Sequence, residues 1–147
     1  MIKINIDLKS EIESWGVPAI WEKLKLRHEF YNDYNTETSQ HFFIIDSADN
    51  EIFEFCFSVA TTENGSIYIE LDQITVNPKD RRQGIGKFYL TRLKEFCKKN
   101  SISEIRLTLC TTGENISYEN AYTDKNELEN YYRRILEDKT IHLTTRH

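Results

Sequence analysis

Val76-Asn-Pro-Lys-Asp-Arg-Arg-Gln-Gly-Ile-Gly-Lys87 is the stretch that decides how this chain folds. Before it, Ser66 to Val76 reads as a strand rich in Ile and Tyr. Pro78, with no N–H for a ladder, ends that strand. After it, Ile85, Phe88, Tyr89, Arg92, Leu93 and Phe96 recur at helical spacing, predicting a helix from about Gly84 to Lys99 with Asn100 as its C-cap. The stretch therefore joins a strand to a helix. It holds two of the five glycines, Gly84 and Gly86, which remove side chains where a ligand would approach backbone N–H groups. A helix N-terminus offers unpaired donors and the positive end of a dipole, which suits phosphate. Arg81, Arg82 and Lys87 add charge-assisted donors around it.

Other phosphate motifs fit this stretch less well. A dinucleotide fingerprint needs G-x-G-x-x-G, and Tyr89 stands at the third glycine. A Walker loop needs G-x-x-x-x-G-K-[ST], but Arg81 replaces its first glycine and Phe88 its hydroxyl residue. What remains is R-x-x-G-x-G, Arg81 to Gly86, placed directly between a strand and an amphipathic helix.

Outward from this stretch the chain reads as an alternation of elements. Ile2 to Ile6 alternates as a short strand. Ser10 and Glu13 form a capping box for a first helix. A second helix is expected from Pro18, with Ile20, Trp21, Leu24, Leu26 and Phe30 on its apolar side. Strands follow at His41–Ile45 and Glu51–Ala60, separated by the turn cluster Asp46–Asn50. Asn64-Gly65 signals a hairpin into the next strand. Beyond Asn100 come a strand at Glu104–Leu109, a polar loop over 111–125, a helix at Asn126–Glu137 and a strand at Lys139–Thr144. This order predicts one α/β (α+β) domain over 1–147, built on a mixed, mostly antiparallel sheet with helices on both faces.

Charge is uneven along the chain. Residues 28–78 hold no Lys or Arg but ten acids, among them Glu29, Asp46, Asp49, Glu54, Glu70 and Asp72. Residues 79–99 hold eight cations against two acids. The net charge of −5 argues against nucleic acid as partner. The asymmetry suggests two ligands of opposite charge. Hydrophobic residues at 39% and charged residues at 29% fit an ordinary globular domain. No apolar run is long enough for a membrane span, and the N-terminus is unlike a secretory signal. Three cysteines without CxxC spacing point to a reducing cytoplasm rather than a disulfide framework. The four histidines show no metal spacing.

From Ile67 to Phe96 the chain resembles the GNAT N-acetyltransferases, matching their strand–pyrophosphate loop–helix unit. The resemblance implies acetyl-CoA as co-substrate and an amine as acceptor, either a small cationic amine or a protein amino group. It implies that the amides of Arg82, Gln83, Gly84, Ile85, Gly86 and Lys87 hold the pyrophosphate, with Arg81 at the head of the motif. It implies that Ile74, Thr75 and Val76 bond the pantetheine arm and offer an N–H to the thioester oxygen. A general base matches Glu70 in some relatives and Asp72 in polyamine-type relatives; Glu70 is slightly favoured here. Strand parity puts both acids on the face of Ile74 and Val76. The family's helical Tyr, the acid for the leaving thiolate, is matched by Tyr132 in Tyr131-Tyr132-Arg-Arg-Ile-Leu136, though Leu136 and Glu137 replace Gly-Phe. Asn126 is the nearest counterpart of the family's preceding Asn. Tyr131 and Tyr132 equally suit the core of an amphipathic helix. Cys110 is read as a buried thiol before it is read as a nucleophile. The final hairpin looks short, so a second copy would complete that sheet edge in a homodimer. The competing reading is a non-catalytic coenzyme A-binding or protein-interaction module of the same fold.

Overall fold

The computed structural model describes residues 7–18, 25–30, 38–76, 84–108 and 125–146. The elements are α1 (Leu8–Trp15), β1 (Arg27–Phe30), β2 (Ser39–Ile45), β3 (Glu51–Thr61), β4 (Ile67–Val76), α2 (Ile85–Lys99), β5 (Glu104–Thr108), α3 (Lys125–Leu136) and β6 (His142–Arg146). The six described strands form one sheet in chain order. The ladders from β1 to β4 are antiparallel, while β4–β5 and β5–β6 are parallel. Each parallel step crosses over through a helix, α2 and then α3, as parallel pairing requires.

Local chemistry sets most of these boundaries. Asp7, not Ser10, caps α1: its carboxylate accepts from the Ser10 N–H at 3.2 Å and from the Ser10 hydroxyl at 2.8 Å. The helix thus starts earlier than the capping-box reading, because an acid at the N-cap satisfies amides and also suits the dipole. The β2–β3 turn is built on Asp46, which accepts from the Ala48 and Asn50 N–H groups at 2.9 Å each. Gly65, at φ +88°, closes the β3–β4 hairpin as expected. Arg27–Phe30 is a strand rather than the end of a helix. Its even residues pair with β2, His28 opposite Ile44 and Phe30 opposite Phe42, so sheet pairing overrides the apparent helical spacing. The last strand begins at His142, because Asp138 accepts from the Thr140 and Ile141 N–H groups and bends the chain before it. The expected strand at Ile2–Ile6, the heart of the expected second helix and the 111–124 loop lie outside the described residues.

One face of the sheet carries the core. Phe42, Phe53, Phe55, Phe57, Ile69, Leu71, Ile105, Leu107 and Leu143 lie on it, each nearly or fully buried. Tyr89 of α2 stacks on Phe53 with ring centroids 4.9 Å apart and donates its hydroxyl to the Gly16 carbonyl at 3.0 Å. Trp15 of α1 stacks on Phe57, and Phe96 of α2 meets the same ring edge-on. From α3, Tyr132 and Leu136 join this cluster, and Glu129 accepts from the Thr145 hydroxyl beside Leu143. The mixed sheet is as expected. Of the helices expected on both faces, the three described ones all pack on this one.

Two polar side chains reach this core: Gln40, 5% exposed opposite Phe57, and the half-buried His28. Its ring lies among Phe30, Phe42 and Tyr89, at centroid distances of 6.2, 5.5 and 6.2 Å. Its Nε2 is buried with no hydrogen-bond partner. Burial holds its pKa below the ordinary value, against the opposing pull of Glu13 from α1. The α2 group facing it is the Tyr89 phenol, which burial keeps neutral. Because the unfolded chain takes up this proton more readily, the stabilisation from neutral His28 is complete above about pH 6.5 and is lost as pH falls below it. The urea midpoint should drop between about pH 7 and about pH 5, and His28→Phe should flatten that slope; equal slopes in the two proteins would refute the assignment.

Candidate active site

The site lies around the C-terminal half of β4. Along one edge β4 pairs with β3 as far as Val76 opposite Phe53. Along its other edge it meets β5 at Ile69–Ile105, Glu70–Arg106 and Leu71–Leu107. Residues 109–124, which follow β5, lie outside the described residues. The C-terminal ends of parallel strands are where open α/β sheets bind ligands, and Ile74, Thr75 and Val76 form that end of β4.

A β-bulge sets the orientation of the acids. Cys56 pairs with Gln73 and Phe57 with Leu71, leaving Asp72 as the extra residue on β4. The extra residue reverses the alternation. Leu71 and Ile74 therefore lie opposite Phe57 and Phe55 on the core face. The expectation that Glu70 and Asp72 share a face with Ile74 is thereby corrected: the two acids lie on the polar face, with Cys56 and Ser58.

On that face, the Ser58 hydroxyl donates to Asp72 Oδ2 at 3.4 Å. Burial raises the pKa of Asp72, with the Ser58 hydrogen bond opposing. Burial, with the charges of Asp72 and Glu54 adding to it, pushes the Cys56 thiol up to about 11. His41 Nε2 lies 2.6 Å from Glu54 Oε2. Beside Glu70, the Arg106 guanidinium stacks 3.9 Å from the Tyr68 ring centroid, bonds Glu104 at 3.2 Å and feels the charge of Glu70. Ser58, Ser39, His41, Glu54 and Arg106 escaped the sequence reading. Alternation along β2 and β3 assigns them a common face, but only the register makes them neighbours of the acids.

At the start of α2, Gly84 has φ +89°, ψ 2° and no side chain to cap the helix. The first intrahelical bond runs from the Phe88 N–H to the Gly84 carbonyl at 2.9 Å. The amides of Ile85, Gly86 and Lys87 precede it and have no acceptor within the helix. Ile85 and Gly86 are buried, and Lys87 is exposed. Such a turn can hold an anion through backbone donors, reinforced by the lysine. Arg81, Arg82 and Gln83 lie outside the described residues. The basic stretch is less committed to ligand than its sum suggests. Arg92 pairs with Glu95, Lys94 and Lys98 with Asp138, and Lys99 with Glu11.

The remaining candidates are more dispersed. Asn126 is exposed in the first turn of α3. Tyr132 is 8% exposed, joins the core and meets Tyr131 edge-on at 5.5 Å. Among the described residues no three His, Cys, Asp or Glu side chains are arranged to hold a metal, and no helix is long and apolar enough to cross a membrane.

A mixed sheet of this order, with a glycine at the start of the helix that follows β4, is consistent with the fold of the GNAT acetyltransferases. The model of the acetyltransferase (GNAT) family matches residues 5–124, and the chain belongs to that family. Among curated proteins, none matches it by sequence. Several solved structures are similar. A tetramutant protein from Bacillus halodurans is 12% identical, with a TM-score of 0.49 over 74% of this chain and 65% of that one. The present chain thus spans just under two thirds of that protein's length. An aminoglycoside acetyltransferase from an uncultured soil metagenomic sample, solved with trehalose, is 15% identical, with a TM-score of 0.47 over 92% of this chain and 79% of that one. The ribosomal-protein-alanine N-acetyltransferase of Brucella melitensis biovar Abortus 2308 is 14% identical, with a TM-score of 0.46 over 90% and 83%.

The left-handed backbone at Gly84 makes a simple prediction. A Cβ there would meet nothing within 4 Å, so the cost of a side chain is backbone strain alone. Gly84→Val should destabilise by about 1–2 kcal/mol in thermal unfolding, and Gly84→Asn by less. Equal melting temperatures for Gly84→Val and the parent would contradict this backbone geometry.

Proposed function

We propose that this protein is an N-acetyltransferase that passes the acetyl group of acetyl-CoA directly to a cationic amine. The observation that supports this reading best is the start of α2 at Gly84, where the Ile85, Gly86 and Lys87 amides have no acceptor within the helix, in the crossover that follows β4 and its acids Glu70 and Asp72. The family generally uses acetyl-CoA as donor. The residues present suit that molecule. Amides at Gly84–Lys87, joined by Arg81, Arg82 and Gln83, would hold the pyrophosphate, with Asn126 from α3 as a further contact. The C-terminal end of β4, Ile74, Thr75 and Val76, would run along the pantetheine arm. When bound, acetyl-CoA supplies the activated acyl group.

The chain's own groups then have separable tasks. A lysine-like amine, with a pKa of about 10.4, is charged at neutral pH and must lose a proton to react. Asp72 takes that proton, since its partly desolvated carboxylate is a better acceptor than an ordinary one. Glu70 lies beside Arg106 and serves as the fixed charge that draws the ammonium in. An N–H at the C-terminal end of β4 donates to the oxygen that becomes negative in the tetrahedral intermediate. The Tyr132 hydroxyl is the candidate donor to the departing thiolate. Direct transfer is favoured over a thioester on the protein: Cys56, at about 11, and Cys97, buried and pushed up to about 12, are protonated at neutral pH. Cys110 lies outside the described residues. The chain is read as one cytoplasmic domain, whose acceptor is a small amine or a protein amino group.

Isothermal titration should show acetyl-CoA binding, weakened strongly when Gly84 and Gly86 are both replaced by valine. No binding at about millimolar ligand would overturn the reading, because K_d values of that order correspond to the weakest specific contacts. Mass spectrometry of an amine and peptide pool then identifies the product. Asp72→Asn should lower kcat by about 100-fold or more, leaving acetyl-CoA binding intact, while Glu70→Gln should act mainly on KM for the amine. If Glu70→Gln removes the acidic limb of the pH profile, the base is Glu70. Tyr132→Phe with unchanged turnover would return that residue to a purely packing role. Binding without turnover over a broad amine panel would favour a non-catalytic module, a reading supported by the burial of Tyr132.

A further inference from the structure

A line of hydroxyls crosses the polar face toward the bulge. Ser39 of β2 lies opposite Ser58 of β3, with their Oγ atoms 3.0 Å apart. Ser58 is in turn 3.4 Å from Asp72 Oδ2. Among the described residues Ser58 is the side chain that hydrogen-bonds this carboxylate. The ladder itself does not orient Asp72, because the bulge leaves it with no residue opposite. We propose that Ser58 is the positioning residue of the proposed transferase, holding Asp72 at the bulge and turning its hydroxyl as Asp72 gains and loses the amine's proton.

The argument is one of hydrogen counting. A serine hydroxyl has one hydrogen and two lone pairs. Ionised Asp72 can only accept, so the Ser58 hydrogen points to Oδ2 and Ser58 accepts from Ser39. Once the ammonium has given its proton to Asp72, the carboxylic O–H donates to Ser58, whose hydrogen swings to Ser39. No bond to carbon is made or broken, and the proton stays on Asp72 until water removes it. Ser58 thus remains a partner of Asp72 in both protonation states, although the carboxylate is itself exposed to solvent. Cys56, the neighbour of Ser58 on this face, has only a weak S–H donor and cannot replace it.

This inference rests on Asp72 as proton acceptor, so the test carries two independent readouts. The first is the pH profile of kcat/KM for the parent, Ser58→Ala and Ser58→Thr. Ser58→Ala should lower kcat by roughly tenfold, the loss of one hydrogen bond to a charged group. Its acidic limb should move to higher pH, because the ionised base has lost its donor. KM for acetyl-CoA should not change, and Ser58→Thr should restore both quantities. The second readout is the NMR titration of the Asp72 carboxyl carbon, which needs no turnover. Ser58→Ala should shift that midpoint upward, and Ser58→Thr should return it. An unchanged Asp72 titration in a folded Ser58→Ala protein overturns the proposal, whatever the kinetics. A parent without acetyl transfer to any amine overturns the proposed function instead, and the carboxyl titration still decides the role of Ser58.

Discussion

The parallel step from β4 to β5 is the constraint on which this structure turns. Its described rungs run from Ile69–Ile105 to Leu71–Leu107. Parallel strands are joined through crossovers that put helices over the sheet, here α2 and then α3. The first crossover starts α2 at Gly84, after the C-terminal end of β4, where the first amides of the helix have no acceptor within it. The step thus does two jobs: its apolar rungs anchor the core, and its crossover presents those donors.

The one-sided core explains why the opposite face can be polar. Phe42, Phe53, Phe55 and Phe57 all point to the helices; the first three supply most of the aromatic packing around Tyr89, and Phe57 meets Phe96. The alternate positions of the same strands then fall to Ser39, His41, Glu54, Cys56 and Ser58. These side chains are half-buried, and His41 bonds Glu54 while Ser39 bonds Ser58, as polar groups near a core must. In the proposed function this face receives the amine. The acids of the 28–78 segment do not act together there. Asp46 and Asp49 shape the β2–β3 turn, Asp49 pairing with Arg27, whereas Glu54, Glu70 and Asp72 face the polar side.

Much of this was legible in the sequence, and the parts that were not have physical causes. The β4–loop–α2 unit was readable because Pro78, the paired glycines and a strong helical period act locally. The β3–β4 hairpin was readable from Asn64-Gly65. Strand β1 was not, since Phe30 fits a helical stripe and a strand equally well until Phe42 is known to lie beside it. The bulge at Asp72 was not, for no glycine or proline marks it. That single extra residue was enough to invert the parity from which the faces of Glu70, Asp72 and Ile74 had been inferred. The basic segment misled in a different way. A sum of charges cannot reveal that Lys94 and Lys98 meet Asp138, far along the chain, or that Lys99 meets Glu11.

The bulge also separates two carboxylates that the sequence treats as equivalent. Glu70 stands in regular register, between Ser58 on β3 and Arg106 on β5. Asp72 stands out of register at the bulge, with Ser58 as its neighbour and partial desolvation raising its pKa. Two acids can serve as binding charge and as proton acceptor only if their surroundings differ in this way. On the proposed reading, the division of labour is therefore a property of register rather than of residue type. An insertion of one residue in β4 moves Asp72 to the point where the amine must shed its proton, and leaves Glu70 beside a fixed cation.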